Sequence, residues 1–121
     1  MNEQEFWNFI KKSWKQGRRI KTSVTRNFID PELQVIGKYF EAHVYLPKNY
    51  EELSEELLIE ITKLLYSKKI QLKTKEAILI ILAHQKSRDI LKPLETYCKN
   101  ADKEIKAFAM LALDEYRTWN N

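Results

Sequence analysis

The side chains best suited to hold a metal or act as a nucleophile number three: His43, His84 and Cys98. Zinc sites draw their ligands from closely spaced pairs of cysteine and histidine, and no such pair exists here. His84 ends an apolar run, where a histidine is expected to donate to a carbonyl or to Glu115 rather than to act as ligand or catalyst. His43 reads the same way, and Cys98 reads as a small buried apolar residue. Glu51, Glu52, Glu55, Glu56 and Glu60 form an acidic stretch. A di-metal carboxylate centre would need glutamates and Glu-x-x-His pairs projecting inward from several helices. Here the acids lie opposite a leucine stripe and Glu41-Ala42-His43 has the wrong spacing, so the stretch reads as a solvated helix face. No phosphate-cradling glycine loop, G-x-S-x-G elbow or H-E-x-x-H motif occurs. The expectation is a chain with no catalytic residues, no cofactor and no metal.

A second chemistry is open to the N-terminal quarter. Residues 1–26 carry seven basic side chains against two acidic ones, net +5, whereas the other 95 residues carry 14 against 15, net −1. On a helix, Lys11, Lys15 and Arg18 share a face, with Arg19 next in sequence and Trp7 and Trp14 beside it. Basic residues interleaved with aromatics can bind phosphates, stack on bases or rest on an anionic membrane surface. The competing reading is that Phe6, Trp7, Ile10 and Trp14 dock the first helix on the core while the basic side chains stay in water. An excess of five charges is modest for a dedicated nucleic-acid binder.

Positioning any of these groups requires a scaffold, and the composition says which kind. The 121 residues are 44% hydrophobic and 31% charged, with only two glycines and three prolines. That is enough chain for one core and too few turn residues for a many-stranded sandwich. The longest apolar run, Ala77 to Ala83, is far short of the ~20 residues of a membrane span. The N-terminus places acids and amides before its aromatics and basics after them, unlike a signal peptide. One cysteine allows no internal disulfide framework, so the expected location is cytoplasmic.

Apolar residues recur at helical spacing along most of the chain. Phe6, Trp7, Ile10 and Trp14 mark a helix over 2–16, with Gly17 as its stop. Residues 18–29 are ambiguous between helix and other structure. Asp30 can cap a helix that begins at Pro31 and carries the stripe Leu33, Ile36, Phe40 and Val44. Gly37, inside that helix, would permit close backbone approach. Asn49 and Glu52 have capping-box spacing before the face Leu53, Leu57, Ile61, Leu64 and Leu65. Thr74 opens the next segment, whose AILIILA run is read as helix because good helix formers surround it and no glycine or proline bounds it. Ser87 is the next cap. Pro93 implies either a kink or a helix that begins nearer Leu91. Asp102 caps the last helix, with Ile105, Phe108, Ala109, Leu111, Ala112, Tyr116 and Trp119 as its stripe.

TKEAILIILAH at 74–84 and DKEIKAFAMLAL at 102–113 share a pattern: a cap, Lys-Glu, then an apolar helix punctuated by alanine. Lys75, Glu76, Ala77, Leu82 and Ala83, then Lys103, Lys106, Ala107, Leu111 and Ala112, carry a likeness to HEAT-like repeats of the armadillo type. The sequence also resembles the short HEAT-like domains of uncharacterised bacterial proteins. The resemblance implies one all-α domain over 1–121, built as stacked antiparallel helical hairpins of an α-α superhelix with about six helices. Residues 49–121 would form two hairpins and 1–48 less regular helices. In such a stack an internal helix meets neighbours on every side, which suits a helix apolar nearly all round. The family works by binding, so the resemblance implies a scaffold for a protein partner, with an inhibitor or immunity-type protein as one form. Lys75, Lys103, Lys106 and Arg117 would be its polar contacts. The alternative is nucleic-acid binding through Lys11, Lys15, Arg18, Arg19, Trp7 and Trp14.

Overall fold

The computed structural model describes residues 1–15 and 31–120, apart from the side chains of 13–15, 31, 32 and 52. All regular structure in this part is helical: α1 (Glu3–Lys15), α2 (Pro31–Ala42), α3 (Glu55–Leu65), α4 (Leu72–Ala83), α5 (Leu91–Asn100) and α6 (Lys103–Trp119), with short 3-10 turns at His43–Tyr45, Tyr50–Glu52 and Arg88–Ile90. No helix among the described residues is long and apolar enough to cross a membrane. Gly17, Asp30 and the ambiguous 18–29 stretch lie outside the described residues.

The apolar run forms the axis of the fold. Every residue from Ala77 to Ala83 is at most 1% exposed. Helices α2, α3 and α6 pack on α4, and α5 reaches the core through α6. Phe6 and Ile10 of α1 are fully buried in the same cluster. Helices α3 and α4 form one hairpin and α5 and α6 a second, while α2 touches both α4 and α6. The inner pair of helices is thus covered by the chain's own N-terminal part.

The start of α4 shows why α1 docks where it does. A helix N-terminus leaves N–H groups without partners and carries partial positive charge. Gln71 occupies the N-cap position but its side chain caps nothing. Glu3 of α1 substitutes: its Oε2 accepts from the Gln71 amide at 2.9 Å and from the Thr74 hydroxyl. Thr74 is therefore not a cap; it lies inside α4, fully buried, and also accepts a 2.9 Å hydrogen bond from the Trp7 indole.

Other local expectations shift as well. The stripe Leu33, Ile36 and Phe40 faces outward, and α2 buries Gly37, Tyr39 and Ala42 instead. Helical spacing gives two rows of apolar residues on α2; the row that turns inward is the one whose tyrosine finds a polar partner, Glu115. Val44 is partly buried in the 3-10 turn that follows. Asn49 makes no capping bond, and Ser54 starts α3 by accepting from the Leu57 amide at 3.2 Å. The buried face of α3 is Leu58, Ile61, Leu64 and Leu65, with Leu53 and Leu57 only partly covered. Ser87 caps a 3-10 turn rather than a helix, and α5 begins at Leu91, which places Pro93 in the first turn where no intrahelical amide is lost. In α6, Asp102 holds the N-cap position without a side-chain bond, Leu113 joins the buried face, and Ala107 and Trp119 are exposed.

Two predictions follow from the packing around α4. Ile80→Asp places an unpaired charge at the centre of the core and is expected to abolish cooperative thermal unfolding, whereas Ile80→Val should cost about 1 kcal/mol. Glu76 sits half-buried under α2: burial pushes its carboxyl up, Lys38 pulls it back, Glu41 pushes it up again, and the net shift is upward. A carboxyl raised in the folded state favours folding below its unfolded pKa and loses that contribution as pH rises through the folded value. Glu76→Gln should therefore stabilise the protein at pH ~7 and have little effect near pH ~4, read by urea melts at both values; equal differences at the two would contradict it.

Candidate functional site

His43 lies just past the end of α2 and His84 just past the end of α4. Each ring folds back onto its own helix: Nδ1 of His43 is 2.9 Å from the Tyr39 carbonyl oxygen, and Nδ1 of His84 is 2.8 Å from that of Ile80. Both bonds reach four residues back, to carbonyls in the last turn of each helix. The two rings meet edge to face with centroids 5.0 Å apart.

Between them stands Glu115 of α6. Its Oε1 is 3.3 Å from His43 Nε2 and its Oε2 is 3.2 Å from His84 Nε2. The Tyr39 hydroxyl also donates to Oε1, and the Trp119 indole lies at 3.4 Å from Oε2. The side chains are mostly buried: His84 is 9% exposed, Glu115 21% and His43 24%. Tyr50 packs its ring edge-on against His84 at 5.5 Å, and Tyr39 packs against Phe108 at 5.0 Å.

Glu115 is placed by the way the end of α6 is fastened. The Tyr116 hydroxyl donates to the Ser87 carbonyl at 2.6 Å, and Asn120 Nδ2 donates to the Gln85 carbonyl at 3.0 Å. The buried Gln85 side chain then donates to the carbonyls of Tyr50 and Ile81 at 2.7 and 2.9 Å. One amide thereby ties the 3-10 turn carrying Tyr50 to the last turn of α4.

The electrostatics agree with the geometry. Burial pushes the Glu115 carboxyl up, but hydrogen bonds from His43, His84 and Tyr39 outweigh it and hold the group well below the usual carboxylate range. Burial pushes His43 down, but the Glu115 hydrogen bond and the Tyr39 carbonyl outweigh it, and the net shift is upward. Burial and the adjacent carboxylate push the Tyr39 phenol far up, so it stays a donor. His43, His84 and Glu115 can each offer one ligand atom, all within 4.8 Å of one another.

His84 meets both of its expected partners, with Nδ1 at the Ile80 carbonyl and Nε2 3.2 Å from Glu115. The convergence of His43 on the same carboxylate is not visible in linear spacing, because the two histidines are far apart in sequence. The one signal for it is that each histidine closes a helix packed against α6.

The other sequence candidates lie elsewhere. Lys75 is half-buried in the first turns of α4, and Lys103 and Lys106 are exposed at the start of α6. Arg117 pairs with Glu95 of α5 at 2.8 Å. At ~1.5 Å rise per residue, Lys103 and Arg117 are roughly 21 Å apart along α6, so they form no single cluster. Trp7 serves the core: besides its bond to Thr74 it packs edge-on against Phe6 and Tyr45, and Lys73 Nζ lies 5.1 Å over its ring. Lys11 is exposed on α1. Arg18 and Arg19 lie outside the described residues, as do the side chains of Trp14 and Lys15. Cys98 is buried, its thiol donating to the Ala109 carbonyl at 3.2 Å. Glu51, Glu55, Glu56 and Glu60 are exposed.

One surface stands out beside the histidines. Leu33, Ile36 and Phe40, 45%, 39% and 61% exposed, run along the outer face of α2, and the Phe40 ring lies 6.3 Å from that of His43. No family model matches this chain, and no curated protein or solved structure does.

The Tyr39–Glu115 contact can be weighed directly. Tyr39→Phe removes one donor from a largely buried carboxylate and is expected to cost about 1–3 kcal/mol by urea unfolding. In a double-mutant cycle with Glu115→Gln the two changes should be clearly non-additive; additive effects would show that the hydroxyl and the carboxylate do not act together.

Proposed function

We propose that this protein is a HEAT-like helical scaffold that binds a protein partner through the outer face of α2. The observation carrying this reading is the row Leu33, Ile36 and Phe40, three large apolar side chains left in water on one helix face. Such rows, read at i, i+3 and i+7, are how helices and grooves recognise one another. The opposite face of α2 supports the reading, because it is seated on α4 and α6 and presents the row on a rigid base.

The surface expected from the repeat pattern, the inner helices α4 and α6 with Lys75, Lys103, Lys106 and Arg117, is a weaker candidate. Part of that inner surface meets α2, and Arg117 is engaged by Glu95. Lys103 and Lys106 remain available for secondary contacts. The nucleic-acid alternative gains no support from Trp7, whose indole N–H and ring face both have partners within the fold.

The test is photocrosslinking from position 40 in the source cell, followed by purification of the captured protein and titration with the wild-type chain. Phe40→Asp, with melting behaviour like wild type, is expected to weaken that complex by at least about tenfold, roughly 1.4 kcal/mol. Undiminished binding by both Phe40→Asp and Ile36→Asp would overturn the assignment of this face, and a captured second copy of the same chain would replace a foreign partner with self-association.

A further inference from the structure

The His43–Glu115–His84 cluster has a hydrogen-counting problem. A carbonyl oxygen can only accept, so the 2.9 and 2.8 Å contacts to Tyr39 and Ile80 place a hydrogen on Nδ1 of each ring. A neutral imidazole with its hydrogen on Nδ1 presents a bare lone pair at Nε2. Both Nε2 atoms face the Glu115 carboxylate, which is also only an acceptor when ionised. Lone pairs would then confront lone pairs at 3.3 and 3.2 Å.

A proton or a cation must fill each gap, and two arrangements fill both while Glu115 stays ionised. Both rings can be imidazolium, which sets two like charges on rings 5.0 Å apart around a single carboxylate in a mostly buried site. Alternatively, one divalent cation carries the same charge and is coordinated by every lone pair that points inward. The second arrangement needs no like-charge pair.

We propose that His43, His84 and Glu115 bind one divalent transition-metal ion of the zinc class, through the two Nε2 atoms and the Glu115 carboxylate. Two imidazoles and a carboxylate are a donor set that zinc accepts, and bonds of about 2.0–2.1 Å in a tetrahedron set neighbouring ligand atoms roughly 3.3 Å apart, matching the two nitrogen–oxygen separations here. In that tetrahedron every pair of ligand atoms stands roughly 3.3 Å apart, so the widest separation in the cluster, up to 4.8 Å, closes by at most about 1.5 Å of side-chain rotation. The surrounding bonds are those that orient metal ligands: each ring is fixed by its Nδ1–H on a backbone carbonyl, and the carboxylate is held by the Tyr39 hydroxyl. Partial exposure of His43 and Glu115 leaves room for water in a remaining coordination position. The ion would join the turn after α2 to α4 and α6.

The experiment uses the full chain, dialysed against a chelator and then titrated with zinc chloride by calorimetry. One zinc per chain is expected, with a rise in melting temperature that grows with zinc concentration. Binding should be lost in His43→Gln and in His84→Gln, weakened about tenfold in Tyr39→Phe and unchanged in Cys98→Ser. Should the histidine variants fail to fold, ring nitrogen NMR of the wild-type chain decides: zinc should shift Nε2 of both rings while each Nδ1 keeps its hydrogen. No binding at about 100 μM zinc, with both Nε2 atoms protonated at neutral pH, would overturn the proposal and leave the imidazolium pair as the cluster's charge. One-to-one zinc binding that survives in folded His43→Gln and His84→Gln variants would overturn it as well, by placing the ion elsewhere.

Discussion

A helix with no polar side has to be surrounded. From Ala77 to Ala83 every side chain of α4 is apolar, and each Å² removed from water is worth roughly 25 cal/mol. No single neighbour can shield a helix on all sides. The arrangement of the rest follows: α3 comes from the same hairpin, α6 from the next, and α2 with the buried part of α1 from the N-terminal portion. Polar groups then settle what apolar packing leaves open. Glu3 and Trp7 fix where α1 meets the start of α4, and Tyr39, His84 and Glu115 fix how α2, α4 and α6 meet near its end.

Those two polar contacts have opposite chemistry at opposite ends of one helix. At its N-terminus, free amides and partial positive charge receive a carboxylate from another helix. At its C-terminus, the Ile80 carbonyl receives the imidazole N–H of His84, four residues on. The first satisfies an end that the helix cannot satisfy itself. The second also commits the far nitrogen of the ring to face α6, so a local capping bond becomes the orienting element of a tertiary site. The same bond at the end of α2 turns His43 toward the same carboxylate.

Much of this was legible in the residues. The all-helical class, the placement of α4 in the interior, the later start of α5 around Pro93 and the pairing of His84 with Glu115 can each be argued from type and spacing alone. The misjudged features share a cause: they depend on which neighbour is present. Leu33, Ile36 and Phe40 have the spacing of a core face, yet a helical row does not say on which side the rest of the protein lies. Tyr39, an apolar ring with a polar tip, competes for burial and prevails because Glu115 is within reach. Thr74 looks like a cap because threonine often is one, but the actual cap, Glu3, comes from a helix far away in sequence. His43 and His84 meet only through the packing of α2 and α4 on α6, and no local pattern encodes that.

The covering of α4 and α6 by α2 bears on whether a further hairpin could be added at that side. A stack of hairpins can lengthen for as long as its terminal hairpin exposes an apolar face that one more unit would fit. Here α2 takes that place on α4 and α6, and it turns a differently shaped row outward. A further hairpin seated on α4 and α6 from this side would first have to displace α2, so the surface the pair offers there is already spent within the chain.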